Sequence, residues 1–285
     1  MAQAWTVRSL SQWAREWLAK KAVENPRLDT DLILAHALGC DRIRLYIDID
    51  KPVTSEELAR FKPLMQRRGA REPVAYILGA REFYGRRFDV SPGVFIPRPE
   101  TELLVRTVLD ALPPGTGERV LDLCAGSGAV GVSVAAERPE AQADLVELSP
   151  EAAGVARRNA DRYAPGRAHV YCGDLYAALP AQVRYHAIAA NPPYVPLPHA
   201  DKLAPEIVGH EPHLALFGGA DGLDVIRRMV GGLREWLAPG GWFVTEVDPS
   251  EGEAVAGLLR DAGLSQVRVE RDLAGLDRFV LGKGA

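Results

Sequence analysis

Short apolar segments alternate with helical ones after Thr101, and this alternation restricts the possible folds more than any other feature of the chain. Seven segments have the composition of strands: GERVLDLCAG, AQADLVEL, GRAHVYCGD, YHAIAANPP, GGWFVTEV, LSQVRVERD and DRFVLG. Stretches of about 10 to 15 residues with helical periodicity separate most of them. The pattern predicts an α/β fold with a doubly wound, mostly parallel sheet that binds ligands at the carboxyl ends of its strands. The last two strands lack an intervening helix, so we expect an antiparallel pair at the sheet edge.

The region before this sheet is predicted to be a small helical domain. Apolar residues at helical spacing indicate one helix between Leu10 and Val23, capped by Ser9 with Gln12, and a second that includes Leu32 and Ile33. A third helix is expected after Thr54, which would form a capping box with Glu57.

A hairpin is expected between the two regions. In EFYGRRFDVSPGVFIPRPETE, residues 82–102, aromatic and β-branched residues flank a turn signal at Ser91–Gly93. The predicted domains are therefore 1–80 (helical), 81–100 (hairpin linker) and 101–285 (sheet).

Composition restricts the cellular setting and the partners. The net charge of −4 argues against binding nucleic acid by bulk electrostatics. Cys40, Cys124 and Cys172 lie far apart, which predicts neither a disulfide framework nor a thiolate zinc site. No segment approaches the roughly 20 apolar residues that span a bilayer. We expect a cytoplasmic monomer without membrane or direct nucleic-acid contacts.

The first predicted strand ends in a glycine-rich loop, VLDLCAGSGAVG. Gly126, Gly128 and Gly131 satisfy GxGxxG, and Glu147 ends the next strand at about the distance where a carboxylate accepts from ribose hydroxyls. Glycine allows a nucleoside to approach the backbone closely. The spacing predicts a nucleoside cofactor, with a ligand-free strand-to-helix turn as the alternative.

Acidic residues beside this loop favour one nucleoside over others. Asp122 would repel a pyrophosphate but can accept from loop amides or a cationic ligand, which favours S-adenosylmethionine over NAD. Asp174 in GDLY follows the third strand and could accept from the exocyclic amine of an adenine. A helix N-cap role for Asp174 is equally open.

The chain resembles a known family through several motifs. VLDLCAGSG, Glu147, GDLY and NPPY occur in the order found in class I S-adenosylmethionine-dependent methyltransferases that act on planar nitrogens. The blocks REPVAYILGAREFYG, FIPRPETE, EP with LALFGGADGL, and DLAGLDRFVLG narrow the resemblance to the HemK or PrmC family of peptide-chain release factor glutamine methyltransferases. The likeness runs from Pro26 to the C-terminus.

The resemblance implies a Rossmann-like methyltransferase sheet and a substrate-recognising helical domain. It implies methyl transfer from S-adenosylmethionine to the N5 amide nitrogen of the glutamine in the GGQ motif of class I release factors, with S-adenosylhomocysteine as product. Cys124, Ala125 and Glu147 differ mildly from the residues usual in the family. The segment 245–255, TEVDPSEGEAV, departs more clearly, and no role is assigned to it.

Site residues follow from the motifs and the resemblance together. The predicted cofactor-binding residues are Arg98, Glu100, Thr101, Asp122, Cys124, Ala125, Gly126, Ser127, Gly128, Glu147, Asp174, Leu175 and Asn191. The predicted catalytic and substrate-binding residues are Asn191, Pro192, Pro193 and Tyr194. For the segment that contains Arg98, Glu100 and Thr101, a purely structural role at a helix start is equally open.

The motif NPPY suits a carboxamide substrate physically. A carboxamide nitrogen is a poor nucleophile, and its two hydrogens need acceptors in a dry pocket. We expect the Asn191 side-chain oxygen and the Pro192 carbonyl to accept them, and the Tyr194 ring to stack on the amide plane. The prolines would keep the loop stiff. Catalysis would then consist of positioning and electrostatics without a general base.

Other interpretations remain open from the sequence. The same chemistry could act on a ribosomal-protein glutamine or on an adenine N6 in nucleic acid, and GxGxxG also suits an NAD-dependent oxidoreductase. The irregular spacing of His199, His210 and His213 argues against a metal site. A basic cluster is expected to be a solvated face, with an acidic release factor or ribosomal RNA as possible contacts; it comprises Arg67, Arg68, Arg71, Arg86 and Arg87.

Overall fold

A computed structural model of the protein describes residues 5–112, 117–180 and 183–285. The chain divides into two compact units. The helical unit comprises residues 1–80 and 204–210, and the sheet unit comprises residues 81–203 and 211–285. Across the described ranges, no helix is long and apolar enough to cross a membrane.

The α-helices within the described residues are α1 (Val7–Lys20), α2 (Pro26–Leu38), α3 (Arg42–Ile47), α4 (Ser55–Gly69), α5 (Val74–Leu78), α6 (Glu102–Ala111), α7 (Ala129–Glu137), α8 (Pro150–Tyr163), α9 (Pro205–His210), α10 (Asp224–Trp236) and α11 (Gly252–Asp261). The strands are β1 (Ala80–Phe83), β2 (Arg86–Asp89), β3 (Arg119–Leu123), β4 (Gln142–Glu147), β5 (Ala168–Cys172), β6 (Tyr185–Ala190), β7 (Leu237–Glu246), β8 (Ser265–Arg271) and β9 (Asp277–Lys283). Short 3-10 helices span Pro99–Thr101, Leu175–Ala178, Leu197–Lys202 and His213–Ala215.

Helix starts in the helical unit follow capping chemistry. The predicted capping box of α4 is confirmed, because the Glu57 N–H donates to Thr54 Oγ1 at 3.1 Å and the Thr54 N–H donates to Glu57 Oε2 at 2.8 Å. The predicted cap of α1 is wrong by one turn. Thr6 caps α1 in a reciprocal pair with Ser9, and Gln12 donates instead to Glu16 on the exposed face. The short helices α3 and α5 were not expected from the sequence.

The expected solvated basic face is wrong for two of its members, Arg68 and Arg71. Arg68 on α4 is only 5% exposed, and its guanidinium donates to Asp29 at 2.6 Å and to Glu206 at 3.0 Å, all within the helical unit. A buried guanidinium needs partners of this kind to offset its lost hydration. Arg71 also donates to Glu206, at 2.7 Å. The side chains of Arg68 and Arg71 therefore have structural roles inside the helical unit.

The hairpin of β1 and β2 turns earlier than the sequence indicates. Tyr84 and Gly85 form its two-residue turn, with φ values of 48° and 70°. Two positive φ angles match the right-handed twist of the strands, as in a type I′ turn. The predicted turn at Ser91–Gly93 is therefore not the hairpin turn. It follows β2 as a separate turn, in which the Val94 N–H donates to the Ser91 carbonyl at 3.0 Å.

All seven strands predicted after Thr101 are present, and within the described residues they form one sheet in the order β5-β4-β3-β6-β7-β9-β8. The five strands from β5 to β7 are parallel, and β9 pairs antiparallel with both β7 and β8. The expected antiparallel pair at the edge is thus confirmed. The strand order reverses between β3 and β6, where a doubly wound sheet opens a crevice at its carboxyl ends.

Apolar side chains cover both faces of this sheet. Along β3, Val120 belongs to a core cluster with α6, α7 and α8, whereas Leu121 belongs to a cluster with α10 and α11. Both residues are fully buried. Alternation of this kind is what a strand between two helical layers requires. The predicted doubly wound α/β fold is confirmed, and its rigid strands hold the loops described next.

Candidate active site

A cavity of about 360 Å³ opens at the carboxyl ends of β3, β4 and β6, where the strand order reverses. Many of the predicted site residues line it: Thr101, Asp122, Cys124, Ala125, Gly126, Ser127, Glu147, Asp174, Leu175, Asn191 and Pro193. Others lie outside its lining: Arg98, Glu100, Gly128, Pro192 and Tyr194. The sheet unit alone supplies this cavity.

The glycine-rich loop follows β3 and begins α7. Gly128 occupies the N-cap position of α7 with a φ of 80°, and a Cβ there would approach Leu145 Cδ2 to 3.0 Å. A Cβ on Gly131 would approach Asp122 Cβ to 2.9 Å. Both glycines therefore allow close packing of the loop and α7 on the sheet, while Gly126, with a φ of 56°, turns the chain at the cavity wall.

Asp122 is a buried acid at the end of β3. Its side chain is 1% exposed, and its Oδ2 accepts from the Gly131 N–H at 2.8 Å. Burial raises the pKa of Asp122 to about 7. The expected acceptance from a loop amide is confirmed at Gly131, in the first turn of α7.

Glu147 ends β4 with its carboxylate held in place. Its Oε2 accepts from the Gly126 N–H and its Oε1 from the Ser149 N–H, each at 2.8 Å. Burial raises the pKa of Glu147 despite these bonds. Each oxygen keeps a further lone pair, so the carboxylate can still accept from hydroxyls in the cavity. Glu151, in the first turn of α8, adds a further acid to the lining.

Asp174 makes an ion pair and not a helix cap. It occupies the N-cap position of the 3-10 helix Leu175–Ala178 without a side-chain capping bond, and its Oδ2 accepts from Arg228 at 2.6 Å. Both partners are about half exposed and both line the cavity. The helix-cap interpretation of the Asp174 side chain is therefore wrong, whereas its contact with an adenine stays a prediction.

Hydrogen bonds connect the NPPY loop to a neighbouring strand and to the segment before α6. Asn191 Nδ2 donates to Thr101 Oγ1 at 3.1 Å. Thr101 Oγ1 in turn donates to Glu246 Oε2 at 2.7 Å, and the Tyr194 hydroxyl donates to Glu246 Oε1 at 3.0 Å. Glu246 lies at the end of β7 and is 2% exposed. Its burial raises its pKa, which the two donors partly oppose.

The two prolines of NPPY differ in position. Both are buried, but only Pro193 lines the cavity. Among the described residues, none donates a hydrogen bond to the Pro192 carbonyl, so this oxygen retains its acceptor capacity. The loop has no cis peptide bond within the described ranges.

Arg98 stabilises the segment that covers one side of the cavity. Its guanidinium donates to Glu211 and lies 4.8 Å from the centre of the Phe95 ring. Glu211 also accepts from the Ile96 N–H at 3.2 Å. Phe95 lines the cavity, whereas Arg98 does not. Direct contact of Arg98 with a cofactor stays a prediction, and the same holds for the exposed Glu100.

Several lining residues were not singled out from the sequence: Phe95, Pro97, Leu148, Glu151, Leu214, Phe217, Val225 and Arg228. Some lie in the blocks FIPRPETE and LALFGGADGL, so the family motifs were the signal available for them. Glu246 had a weaker signal, as an acid at the carboxyl end of a predicted strand.

The charge pattern of the cavity suits a cationic nucleoside. Apolar walls that include Leu148 and Leu175 lie beside the carboxylates of Glu147 and Asp174. Of the described lining residues, only Arg228 is basic, and it is paired with Asp174. A pyrophosphate would find no free cation among them, whereas a sulfonium and an ammonium group are compatible with the acids. These residues fit S-adenosylmethionine. Over the same described ranges, no group of three or more His, Cys, Asp and Glu side chains could hold a metal ion.

Comparisons with known proteins agree with this geometry. Two family models match the chain, the PrmC N-terminal domain over residues 9–79 and the methyltransferase small domain over residues 87–214. The chain is 42% identical over 281 residues to the release factor glutamine methyltransferase of Geobacter sulfurreducens, a match that covers 99% of this chain and 98% of the relative. It is 44% identical to the release factor glutamine methyltransferase of Burkholderia pseudomallei, over 90% of this chain and 91% of the relative.

A solved structure shows the same fold at lower identity. The 16S rRNA N2 G1207 methyltransferase of T. thermophilus, in complex with AdoMet and guanosine, matches with a TM-score of 0.53 and 23% identity. The match covers 72% of this chain and 50% of that chain.

Proposed function

The chain belongs to the release factor glutamine methyltransferase family, and from this we propose that it methylates the N5 amide nitrogen of the GGQ glutamine in class I peptide-chain release factors, with S-adenosylmethionine as methyl donor. One observation carries the proposal. Asn191, directly after β6, lines the same cavity as the acids Glu147 and Asp174, and its side-chain amide donates to Thr101. A carboxamide acceptor therefore lies beside a nucleoside-compatible cavity.

The donor site is proposed on the charges and shape of the cavity. S-adenosylmethionine, when bound, supplies an electrophilic methyl group on a sulfonium. Glu147 would accept from the ribose hydroxyls, because Gly126 and Ser149 already fix the plane of its carboxylate. Asp174 would accept from the adenine amine, while Leu148 and Leu175 provide apolar contact for the base.

The substrate side is proposed to consist of acceptors on the NPPY loop. Asn191 Oδ1 would accept one hydrogen of the glutamine amide and the Pro192 carbonyl the other, which aims the nitrogen lone pair away from the loop. Tyr194 would contribute its ring face to the planar amide while its hydroxyl stays bound to Glu246. Because the prolines fix φ, these acceptors need little ordering when the substrate binds.

Catalysis would come from positioning and desolvation. Holding a weak nucleophile in line at near-attack distance lowers the entropic part of the barrier, and two fixed acceptors stabilise the positive charge that develops on the nitrogen. The transferred methyl group leaves the nitrogen with an extra proton, which can pass to water afterwards. No side chain is assigned the role of general base.

Substrate recognition is assigned to the helical unit. Helix α3 exposes two isoleucines, Ile43 at 67% and Ile47 at 62%, which supports a role in protein contact. We expect the double variant Ile43→Asp with Ile47→Asp to raise KM for the release factor at least about tenfold with kcat preserved. An unchanged KM would contradict this assignment. A release factor substrate also assigns the enzyme to the cytoplasm.

Label transfer tests the proposed reaction. The protein is incubated with radiolabelled S-adenosylmethionine and either a purified class I release factor or the same factor with asparagine in place of the GGQ glutamine. We expect label only in the first. Equal labelling of both factors, or labelling of ribosomal protein or DNA in preference to the factor, would overturn the proposal. Calorimetric titration with NAD in place of S-adenosylmethionine is the matched cofactor control, and no binding is expected.

A further inference from the structure

We propose that Glu246 is a positioning residue which sets the direction of the hydrogen bonds around Asn191, so that Asn191 presents its oxygen to the substrate amide. This inference rests on the proposed function and adds to it a residue from the segment 245–255, to which no role is assigned from the sequence alone. It concerns three side chains from three separate parts of the sheet unit: Thr101, Asn191 and Glu246.

The side-chain amide of asparagine has two ends, an oxygen and a nitrogen, that are similar in shape but opposite in hydrogen-bonding character. Its oxygen accepts, whereas its nitrogen donates two hydrogens. For the proposed reaction, only the oxygen can bind a hydrogen of the substrate amide. If the amide turned over, two donors would face each other and neither would have an acceptor, which is unfavourable. Asn191 therefore needs a neighbour that distinguishes its two ends.

Glu246 is placed next to Asn191 by the parallel pairing of β6 and β7. Thr245 pairs with Ala190 in this register, so the two functional residues each follow directly at the carboxyl ends of their strands. Glu246 and Asn191 are not joined directly. Thr101, just before α6, lies between them and bonds to both.

The charge on Glu246 determines the direction of each bond. An ionised carboxylate has no hydrogen to give, so the hydroxyls of Thr101 and Tyr194 must both donate to it. Thr101 has one hydroxyl hydrogen, and the bond to Glu246 uses it. The Thr101 oxygen can then only accept from Asn191, which must offer Nδ2. Oδ1 is left for the cavity.

Stability alone does not account for an acid at this position. Glu246 is almost fully buried, and removing a carboxylate from water is costly even with hydrogen-bond donors present. Burial raises the pKa of Glu246, and the two hydroxyl donors together with the nearby Arg278 guanidinium oppose that shift by favouring the charged form. The charged form is what an acceptor-only group requires.

A double-mutant cycle tests the proposal. Glu246→Gln replaces one accepting oxygen by an NH₂ donor, so Thr101 can receive a hydrogen there and give its own to Asn191 Oδ1. We expect kcat to fall at least about tenfold, with the dissociation constant for S-adenosylmethionine within about threefold of wild type. The Thr101→Val variant has no hydroxyl that could connect Glu246 to Asn191. In that background, Glu246→Gln should change kcat by less than about threefold.

Thr101→Ser is the matched control, because it keeps the hydroxyl, and it should retain at least about a third of the wild-type kcat. If Glu246→Gln lowers the melting temperature, the kcat values of Thr101→Val and Thr101→Ser provide the same test while Glu246 stays unchanged. The proposal then predicts a lower kcat for Thr101→Val than for Thr101→Ser. Additive losses in the cycle, or wild-type kcat for Glu246→Gln, would overturn the positioning role. Failure of the wild-type protein to methylate a release factor would instead overturn the proposed function.

Discussion

Replacing Asn191 with alanine tests the substrate site most sharply. The change removes Oδ1, the proposed acceptor for one hydrogen of the glutamine amide, and also the donor to Thr101 Oγ1 at 3.1 Å. Thr101 keeps its bond to Glu246, so the surrounding segment should stay in place. Loss of one preorganised hydrogen bond at a transition state costs about 2.7–4 kcal/mol, or about 10² to 10³ in turnover.

Cofactor affinity should respond much less to the same change. The carboxylate of Glu147 is held by the backbone amides of Gly126 and Ser149, both outside the NPPY loop, so the ribose site does not depend on Asn191. Single-turnover methyl transfer to a purified release factor would measure the chemical step, and calorimetry would measure S-adenosylmethionine binding. We expect turnover to fall at least about a hundredfold and the dissociation constant to change by only a few fold.

The control for this variant is Asn25→Ala, since Asn25 is exposed in the helical unit and makes no side-chain capping bond. It should have wild-type turnover. The assignment of Asn191 to the substrate is refuted if Asn191→Ala abolishes cofactor binding while turnover at saturating cofactor is preserved.

Three further predictions concern the loops around the cofactor site. Gly131→Ala would bring a Cβ to 2.9 Å from Asp122 Cβ and 3.0 Å from Leu145 Cγ. Thermal denaturation should therefore show a destabilisation of about 1–3 kcal/mol. An unchanged melting temperature would contradict the close packing at Gly131. Burial raises the pKa of Asp122 to about 7, so the cofactor-free folded state binds this proton more tightly than the unfolded chain. The contribution of Asp122 to the free energy of unfolding is therefore complete below about pH 4 and is lost as the pH rises through about 7. Urea denaturation at several pH values should show a smaller decline of that free energy for Asp122→Asn than for the wild type. An equal decline in both proteins would argue against the raised pKa. Glu147→Gln keeps an acceptor for the Gly126 N–H but loses one acceptor for the ribose hydroxyls. Calorimetry should therefore show S-adenosylmethionine binding that is weaker by about tenfold. Unchanged affinity would exclude Glu147 from the ribose site.

The parts of the fold that depend on local chemistry could be predicted from the sequence. Strand segments such as the one that contains Asp122 carry their own periodicity, and Gly126 and Gly128, which follow it, have conformations that few other residues adopt. The seven-stranded sheet and its antiparallel edge follow from the order of such segments. Local chemistry also allowed errors of one turn, since Ser9 with Gln12 resembles a capping box as closely as Thr6 with Ser9 does.

The contacts that complete the site could not be predicted, because they join distant parts of the chain. Thr101 and Glu246 are 145 positions apart, and Thr101 and Asn191 are 90 positions apart. Arg98 forms an ion pair with Glu211, which lies 113 positions later. Pairings of this kind depend on which strand ends become neighbours, and that is fixed only by the assembled sheet.

Mapping the methylated position on a release factor tests the central claim most directly. Tandem mass spectrometry of a purified class I release factor, after incubation with this protein and S-adenosylmethionine, would locate every added methyl group. The account predicts a single methyl group on the side-chain nitrogen of the GGQ glutamine, formed by the wild-type protein and at least about a hundredfold more slowly by Asn191→Ala. A methyl group on any other residue, or none with folded protein that binds S-adenosylmethionine, would contradict it.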